Sequence, residues 1–253
     1  MPDTSLPRIV STIECRMTSS RLPGKVMMTS AGKTMLEHHV ERLSRVAKID
    51  EILFATTTNP QDDCIASLAQ RLGIGCHRGS EEDVLARVLG AAESVGGDVI
   101  VEITGDCPLI DPSVVAQTLD LYLANPCDYA CNDNPLSYPI GMDVEVFSTR
   151  LLRVAHEEGL TPEDREHVSW FFLRNPERFR LLTLPAPPEL HWPDLRLTLD
   201  EQADYQLIDA VFRALYPANP AFSLADVLTL LRAHPELLQL NAHVIQRFVA
   251  QSA

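Results

Sequence analysis

The chain is 253 residues long, a length that suits one α/β domain with a sizeable core. Its 35 Asp and Glu outweigh 21 Lys and Arg, and the formal charge of −14 argues against a nucleic acid or an acidic membrane surface as partner. A local basic pocket for one small anion stays compatible with that balance.

Six cysteines, at positions 15, 64, 76, 107, 127 and 131, form no C-x-x-C pair and have no His-x-x-x-His set beside them, so they read as buried reduced thiols. The N-terminus lacks a basic segment followed by an apolar core, and no run approaches membrane-spanning length. A cytoplasmic protein is expected.

Ile9 to Ile13 reads as a buried strand that empties into a loop carrying three cations, Arg16, Arg21 and Lys25, the tandem hydroxyls Ser19 and Ser20, and a Pro23-Gly24 turn. Clustered cations at a strand end suit a polyphosphate, although a solvated basic loop fits the same residues. Thr34-Met35-Leu36-Glu37 is a capping box for a helix with Leu36, Val40, Leu43 and Ala47 inward. The preceding Gly32-Lys33-Thr34 imitates the end of a phosphate-binding P-loop, but Met27 stands where its first glycine belongs.

Glu51 to Thr57 reads as a second strand, followed by Asn59-Pro60 and the helix-starting acids Asp62 and Asp63, with Gly73 ending that helix. A short strand at 74–77 leads to Ser80 as the cap of a helix with Glu81, Glu82 and Asp83 in its first turn. Asp98 to Ile103 is the next strand. It ends in Thr104-Gly105-Asp106-Cys107-Pro108, and Asp111-Pro112 then starts a helix to about Leu123. Alternating strands and helices with short polar links imply a parallel sheet with right-handed crossovers, whose ligands gather at the carboxyl ends of the strands.

Beyond Pro126 the rhythm loosens. Strands are expected at 128–131, 142–147, 179–184 and 195–199, with a loop at 132–141. Helices are expected at 149–158, at 163–174 with Val168, Phe171 and Phe172 inward, from Asp200 to Leu215, and from Ser223 to about Ala233. Asp106, held between a glycine and a proline at the ligand edge, and Asp200, ending Arg196-Leu197-Thr198-Leu199, are candidate Mg²⁺ ligands, because a carboxylate beside a phosphate loop needs a bridging cation. A turn residue at 106 and a helix cap at 200 fit the same positions.

Taken together, Arg16-Met17-Thr18-Ser19-Ser20-Arg21-Leu22-Pro23-Gly24-Lys25, Gly32-Lys33-Thr34-Met35-Leu36, Arg78-Gly79-Ser80-Glu81-Glu82-Asp83, Thr104-Gly105-Asp106-Cys107-Pro108, Tyr138-Pro139-Ile140-Gly141-Met142-Asp143-Val144-Glu145, Arg165-Glu166-His167-Val168 and Leu197-Thr198-Leu199-Asp200-Glu201 are similar to the spore-coat-polysaccharide type of cytidylyltransferase. That type is related to the acylneuraminate and 3-deoxy-manno-octulosonate cytidylyltransferases. The resemblance runs from about residue 8 to about residue 215. It implies a Rossmann-like three-layer α/β sandwich of the nucleotide-diphospho-sugar transferase type, with a mostly parallel central sheet. One nucleotidyltransferase domain over 1–253 would embed a small β arm at about 128–195 that serves acceptor binding and homodimer formation.

The activity it implies is Mg²⁺-dependent transfer of CMP from CTP to an acidic sugar or a phosphate- or phosphonate-bearing acceptor, with release of pyrophosphate, in the making of a cell-surface glycan or related metabolite. Arg16, Lys25 and Asp106 would be catalytic. Ser19, Arg21, Arg78 and Ser80 would join them around the nucleotide, Asp106 and Asp200 would hold the metal, and Tyr138, Asp143, Glu145 and His167 would meet the acceptor. The chain departs from the family's Gln-Ala-Arg-Met-Gly-Ser opening, having Glu14-Cys15-Arg16-Met17-Thr18-Ser19 instead; a glycine there lets backbone approach phosphate closely. Two other readings fit the residues: an inactive nucleotide or nucleotide-sugar sensor, and a nucleotidyltransferase using another NTP such as GTP.

Overall fold

The computed structural model describes residues 6–246. Strand β1 (Ile9–Glu14) leads through the cationic loop to a short hairpin, β2 (Thr29–Ser30) and β3 (Lys33–Thr34), and then to helix α1 (Met35–Leu43). The capping box forms, with Glu37 N donating to Thr34 Oγ1 at 3.2 Å and Thr34 N donating to the Glu37 carboxylate at 2.7 Å. Then follow β4 (Glu51–Thr57), α2 (Asp63–Leu72), β5 (Gly75–Gly79), α3 (Val84–Ser94), β6 (Val99–Thr104) and α4 (Pro112–Ala124). The distal part supplies β7 (Tyr129–Cys131), β8 (Glu145–Ser148), α5 (Thr149–Glu158), α6 (Pro162–Glu166), α7 (Trp170–Leu173), β9 (Leu181–Thr183), α8 (Gln202–Leu215) and α9 (Leu224–Ala233).

The main sheet has seven strands in the order β5-β4-β1-β6-β8-β7-β9. The first four are mutually parallel, β8 runs antiparallel to both β6 and β7, and β9 is parallel to β7. The fold is therefore Rossmann-like, with a mixed sheet between helices. The strands of the 128–195 region extend this sheet.

Strand alternation sends side chains to two cores. Ile13, Val101 and Ile103 face α1, α2, α4, α8 and α9, whereas Val10, Leu53, Ile100 and Phe147 face α3, α5 and α7. From β1 the chain moves outward to β4 and β5, then returns to place β6 on the other flank of β1. The strand order thus switches direction between β1 and β6, where a crevice opens at the carboxyl edge of such sheets.

Several local expectations are corrected. The helix foreseen at 163–174 is two short ones broken at His167, whose φ of −111° and ψ of 101° are extended. The segment 195–199 makes only an isolated bridge, Ile140 with Arg196, because it is buried on both sides and lies along the 138–142 loop. Helix α3 starts at Val84 and is capped by Asp83, which accepts from Ala86 N at 2.8 Å; Ser80 Oγ instead accepts from Glu82 N and Asp83 N in the turn before it. No helix among the described residues is long and apolar enough to cross a membrane, and all six cysteines are free thiols, but only Cys15, Cys107 and Cys131 are buried, whereas Cys64 and Cys127 are half-buried and Cys76 is exposed.

Candidate active site

The loop after β1 is shaped by its own backbone and by Asp62. Gly24, at φ 73°, donates its N–H to Met17 O at 2.9 Å and closes the loop on itself, a conformation that favours glycine. Asp62 is fully buried, and its carboxylate accepts from Met17 N at 2.7 Å and from the Thr57 hydroxyl. It anchors the loop to the end of β4, a task its place in a predicted first helical turn did not suggest.

Lys25 opens a single 3₁₀ turn, Lys25–Met27, which turns its side chain back toward the sheet edge. Its ammonium lies 3.0 Å from Asp106 Oδ2 and 2.9 Å from Asp200 Oδ1. Arg21 approaches the same Asp200 oxygen at 2.8 Å, and Arg196 the other at 2.8 Å.

Two aspartates 94 residues apart (200 minus 106) therefore converge on one cation. Backbone ties hold them together: Leu199 N donates to Asp106 O at 2.8 Å, and Gly105 N donates to Glu14 O at 2.8 Å. Asp200 is not occupied as a helix cap. Asp204 accepts from the backbone N–H groups of Asp200 and Glu201 at 3.0 and 2.9 Å, which frees the Asp200 carboxylate for the cations.

Burial acts to raise the Asp106 carboxyl, but the neighbouring Lys25 charge, with the Thr104 hydroxyl at 2.7 Å, holds it down at about 2. Burial likewise acts to lower Lys25, and the two aspartates more than reverse it, so the ammonium is held charged.

These groups line a cavity of about 430 Å³ together with Glu14, Arg16, Ser19, Arg87, Glu166 and His167. A neighbouring cavity of about 630 Å³ shares Arg16 and Glu166 and adds Ser80, Glu81 and Arg165. Between the two, Glu81 takes hydrogen bonds from Arg16 at 3.2 Å, from Asn59 at 2.6 Å and from the Thr18 hydroxyl. Thr18, which stands where the family pattern has glycine, is thus tied across to the loop before α3. Glu81 was read only as a helix-start acid, and no local signal links it to a partner 63 residues away.

Of the residues foreseen, Arg16, Ser19, Arg21, Lys25, Asp106, Asp200 and His167 share the first cavity, and Ser80 lines the second. His167 arrives there because the helix breaks at it. Arg78 is turned elsewhere: its guanidinium donates to Thr57 O at 2.8 Å, Asn59 O at 2.8 Å and Asp63 at 2.7 Å, bracing the β4–α2 connection. Tyr138 is 1% exposed and packs in the larger core.

Asp143 and Glu145 lie near Asp133, and both carboxyls are pushed up to about 8 by burial and the neighbouring Asp133 charge. Glu145 accepts from the Ser169 hydroxyl at 2.9 Å. Sequence reading missed Asp62, Glu81, Arg196 and Asp204, whose partners all come from tertiary folding or from the altered helix start.

The geometry is a cation-lined cavity beside two convergent carboxylates at a sheet switch point, which suits a polyphosphate with a bridging cation. Comparisons with known proteins give the chain its family. The chain is 31% identical to spore coat polysaccharide biosynthesis protein SpsF of Bacillus subtilis, over 90% of this chain and 95% of that one. It is 33% identical to a 3-deoxy-manno-octulosonate cytidylyltransferase of Trichlorobacter lovleyi over 47% of this chain and 46% of the other. A cytidylyltransferase structure from Leptospira borgpetersenii superposes with a TM-score of 0.85 at 28% identity, covering 96% of this chain and 98% of that one. Residues 10–226 match the family described as Cytidylyltransferase, and the chain belongs to that family.

Proposed function

We propose that this protein transfers CMP from CTP to an acidic sugar acceptor and releases pyrophosphate. The observation that carries the reading is the Lys25 ammonium held between Asp106 and Asp200, with Arg16 and Arg21 lining the same cavity. Membership in the cytidylyltransferase family and the partial likeness to a 3-deoxy-manno-octulosonate cytidylyltransferase support the choice of nucleotide and of acceptor class.

Mg²⁺ fits the donor set. Asp106 and Asp200 already converge on one cationic group, and no cluster of three or more metal-ligating side chains occurs among the described residues. A site of two carboxylates is what Mg²⁺ accepts when phosphate oxygens and water complete its shell. Asp106 and Asp200 would hold the ion, which when bound supplies positive charge to the phosphate oxygens.

In the reaction an acceptor oxygen attacks the α-phosphorus, the bond from that phosphorus to the bridging oxygen breaks, and pyrophosphate departs with the electron pair. A hydroxyl acceptor gives its proton to solvent. No side-chain nucleophile is required. Arg16, Arg21 and Lys25 orient the triphosphate and meet the charge that grows on the leaving group, so catalysis is positioning and preorganised electrostatics. Lys25 must loosen from the aspartates to do this, and the phosphates offer it equivalent anionic partners.

The test is pyrophosphate release from each of the four NTPs with Mg²⁺ and a panel of acidic sugars, sugar phosphates and phosphonates. Release with CTP and an acidic sugar is expected. Release with GTP in preference to CTP contradicts the nucleotide assignment, and CTP binding without release under any combination favours a sensor.

A further inference from the structure

Next to the phosphate-facing cations, Glu14 lines the cavity and begins a run of carboxyls along the sheet. On the sheet face that packs against α3, α5 and α7, Thr12 and Glu14 of β1, Glu102 of β6 and Glu145 of β8 follow one another by strand alternation, since Thr12 is paired with Glu102 and Glu102 with Glu145. Asp133, just past β7, and Asp143, just before β8, stand close enough to interact electrostatically with each other, and Asp133 also with Glu145. Glu14 lines the cavity, which places one end of this acidic strip at the reacting centre.

The strip is under-satisfied. Glu14 Oε2, Glu102 Oε1 and Asp133 Oδ1 are buried atoms with no hydrogen-bond partner, although Glu102 is only 4% exposed. Independently of the carboxylates, the hydroxyl of Thr12 is 0% exposed, lies on the same face between Glu102 and Glu14, and also has no partner. Buried polar atoms in folded proteins are almost always hydrogen-bonded, so several orphans on one sheet face that meets the cavity at Glu14 point to a polar ligand group there.

Cations compensate the strip only at its Glu14 end, where the charges of Arg87, Arg16 and Lys25 oppose the effect of burial. Arg87 of α3 spends its donors on Ala55 O at 3.0 Å and Ser80 O at 2.6 Å, and Ser169 gives one hydroxyl to Glu145. His167 lines the cavity beside Glu166. An acceptor bearing only anionic and hydroxyl groups would put its charge against five carboxyls.

We propose that the acceptor carries a free amino group, seated as an ammonium ion against Glu14, Glu102 and Glu145, so that the substrate class is a zwitterionic amino sugar acid. An ammonium has three donors and no acceptor, which matches the unpaired oxygens of Glu14 and Glu102 beside Glu145, and its charge offsets the mutual repulsion of the carboxylates. The acid group of the same molecule is left to the cationic side of the cavity, near Arg16 and Arg21. This assignment rests on the cytidylyltransferase reading.

The experiment uses matched trios of acceptor: 3-deoxy-manno-octulosonate, its analogues with one hydroxyl replaced by an amine, and the N-acetylated forms of those amines. Each is titrated calorimetrically into the protein held with Mg²⁺ and the α,β-methylene analogue of CTP, and in parallel each is assayed with CTP for pyrophosphate. At least one amine form should bind about tenfold or more tighter than both its hydroxyl and N-acetyl partners, the scale of one charge-assisted hydrogen bond. Glu145→Gln should erase most of that preference and leave affinity for the CTP analogue unchanged.

Equal binding within every trio, or binding of hydroxyl forms alone, overturns the amine assignment even if pyrophosphate is released. Equal binding is the result expected if the raised carboxyls act as neutral donors to a polyol. Tighter binding of an amine with no pyrophosphate from any acceptor overturns the transferase reading and leaves the amine site standing.

Discussion

Asp143 and Glu145 show how the acidic strip registers in the stability of the unliganded protein. Both carboxyls are raised to about 8 by burial and by Asp133, from ordinary values of 3.8 and 4.5. A carboxyl whose folded-state pKa is raised favours the folded state fully below its unfolded value, and that contribution is lost as pH climbs through the folded value. Between pH 4.5 and pH 8 these two groups therefore destabilise the fold progressively. Replacing both, Asp143→Asn with Glu145→Gln, should stabilise the protein at pH 8 by about 1–3 kcal/mol and by much less at pH 4.5. Chemical denaturation at the two pH values checks this, and an equal effect at both would contradict it. Asp106 behaves oppositely, because Lys25 holds it near 2 against its burial.

Among the elements, β1 and β6 meet in a tight joint where both end. A Cβ built on Gly105 would sit 2.6 Å from Glu14 O, the same oxygen that accepts the Gly105 N–H. Gly105→Ala should thus push apart the β1 loop and the Asp106 turn, at a cost of about 1–3 kcal/mol in stability and with lower turnover. Urea titration and pyrophosphate release read the two effects. Stability and turnover both equal to wild type would show that the joint yields freely.

Much of this element-level order was legible in the sequence. Apolar runs marked β1, β4 and β6, and the Thr34–Glu37 box marked α1. The break at His167 was not legible, because Val168, Phe171 and Phe172 continue a helical apolar pattern that tertiary packing interrupts. Leu195–Leu199 carried a strand-like sequence, but its backbone partners are the Ile140 loop and Asp106, chosen by the fold and not by local pattern.

At the scale of the whole molecule, the sheet order explains why distant residues meet. The switch between β1 and β6 brings the Arg16–Lys25 loop beside Asp106, and the crossing of 195–200 along that turn adds Asp200. The cationic loop and Asp106 were readable from the sequence as chemistry at one sheet edge. Their shared cation, the order β8-β7-β9, and the Glu81 link to Thr18 were not, since each depends on pairing across long stretches of chain. A chain of formal charge −14 thereby concentrates positive groups in one cavity and keeps an acidic wall next to it.

In the proposed transfer, Asp106, poised with Asp200 around one cation, holds the charge arrangement on which the reaction depends. The direct measurement is the rate of pyrophosphate release from CTP, with Mg²⁺ and an accepted acid sugar, by wild type and by Asp106→Asn at matched, saturating substrate. Loss of one such electrostatic stabiliser should lower turnover by about 10²-fold or more. Turnover by Asp106→Asn at the wild-type rate would contradict the account.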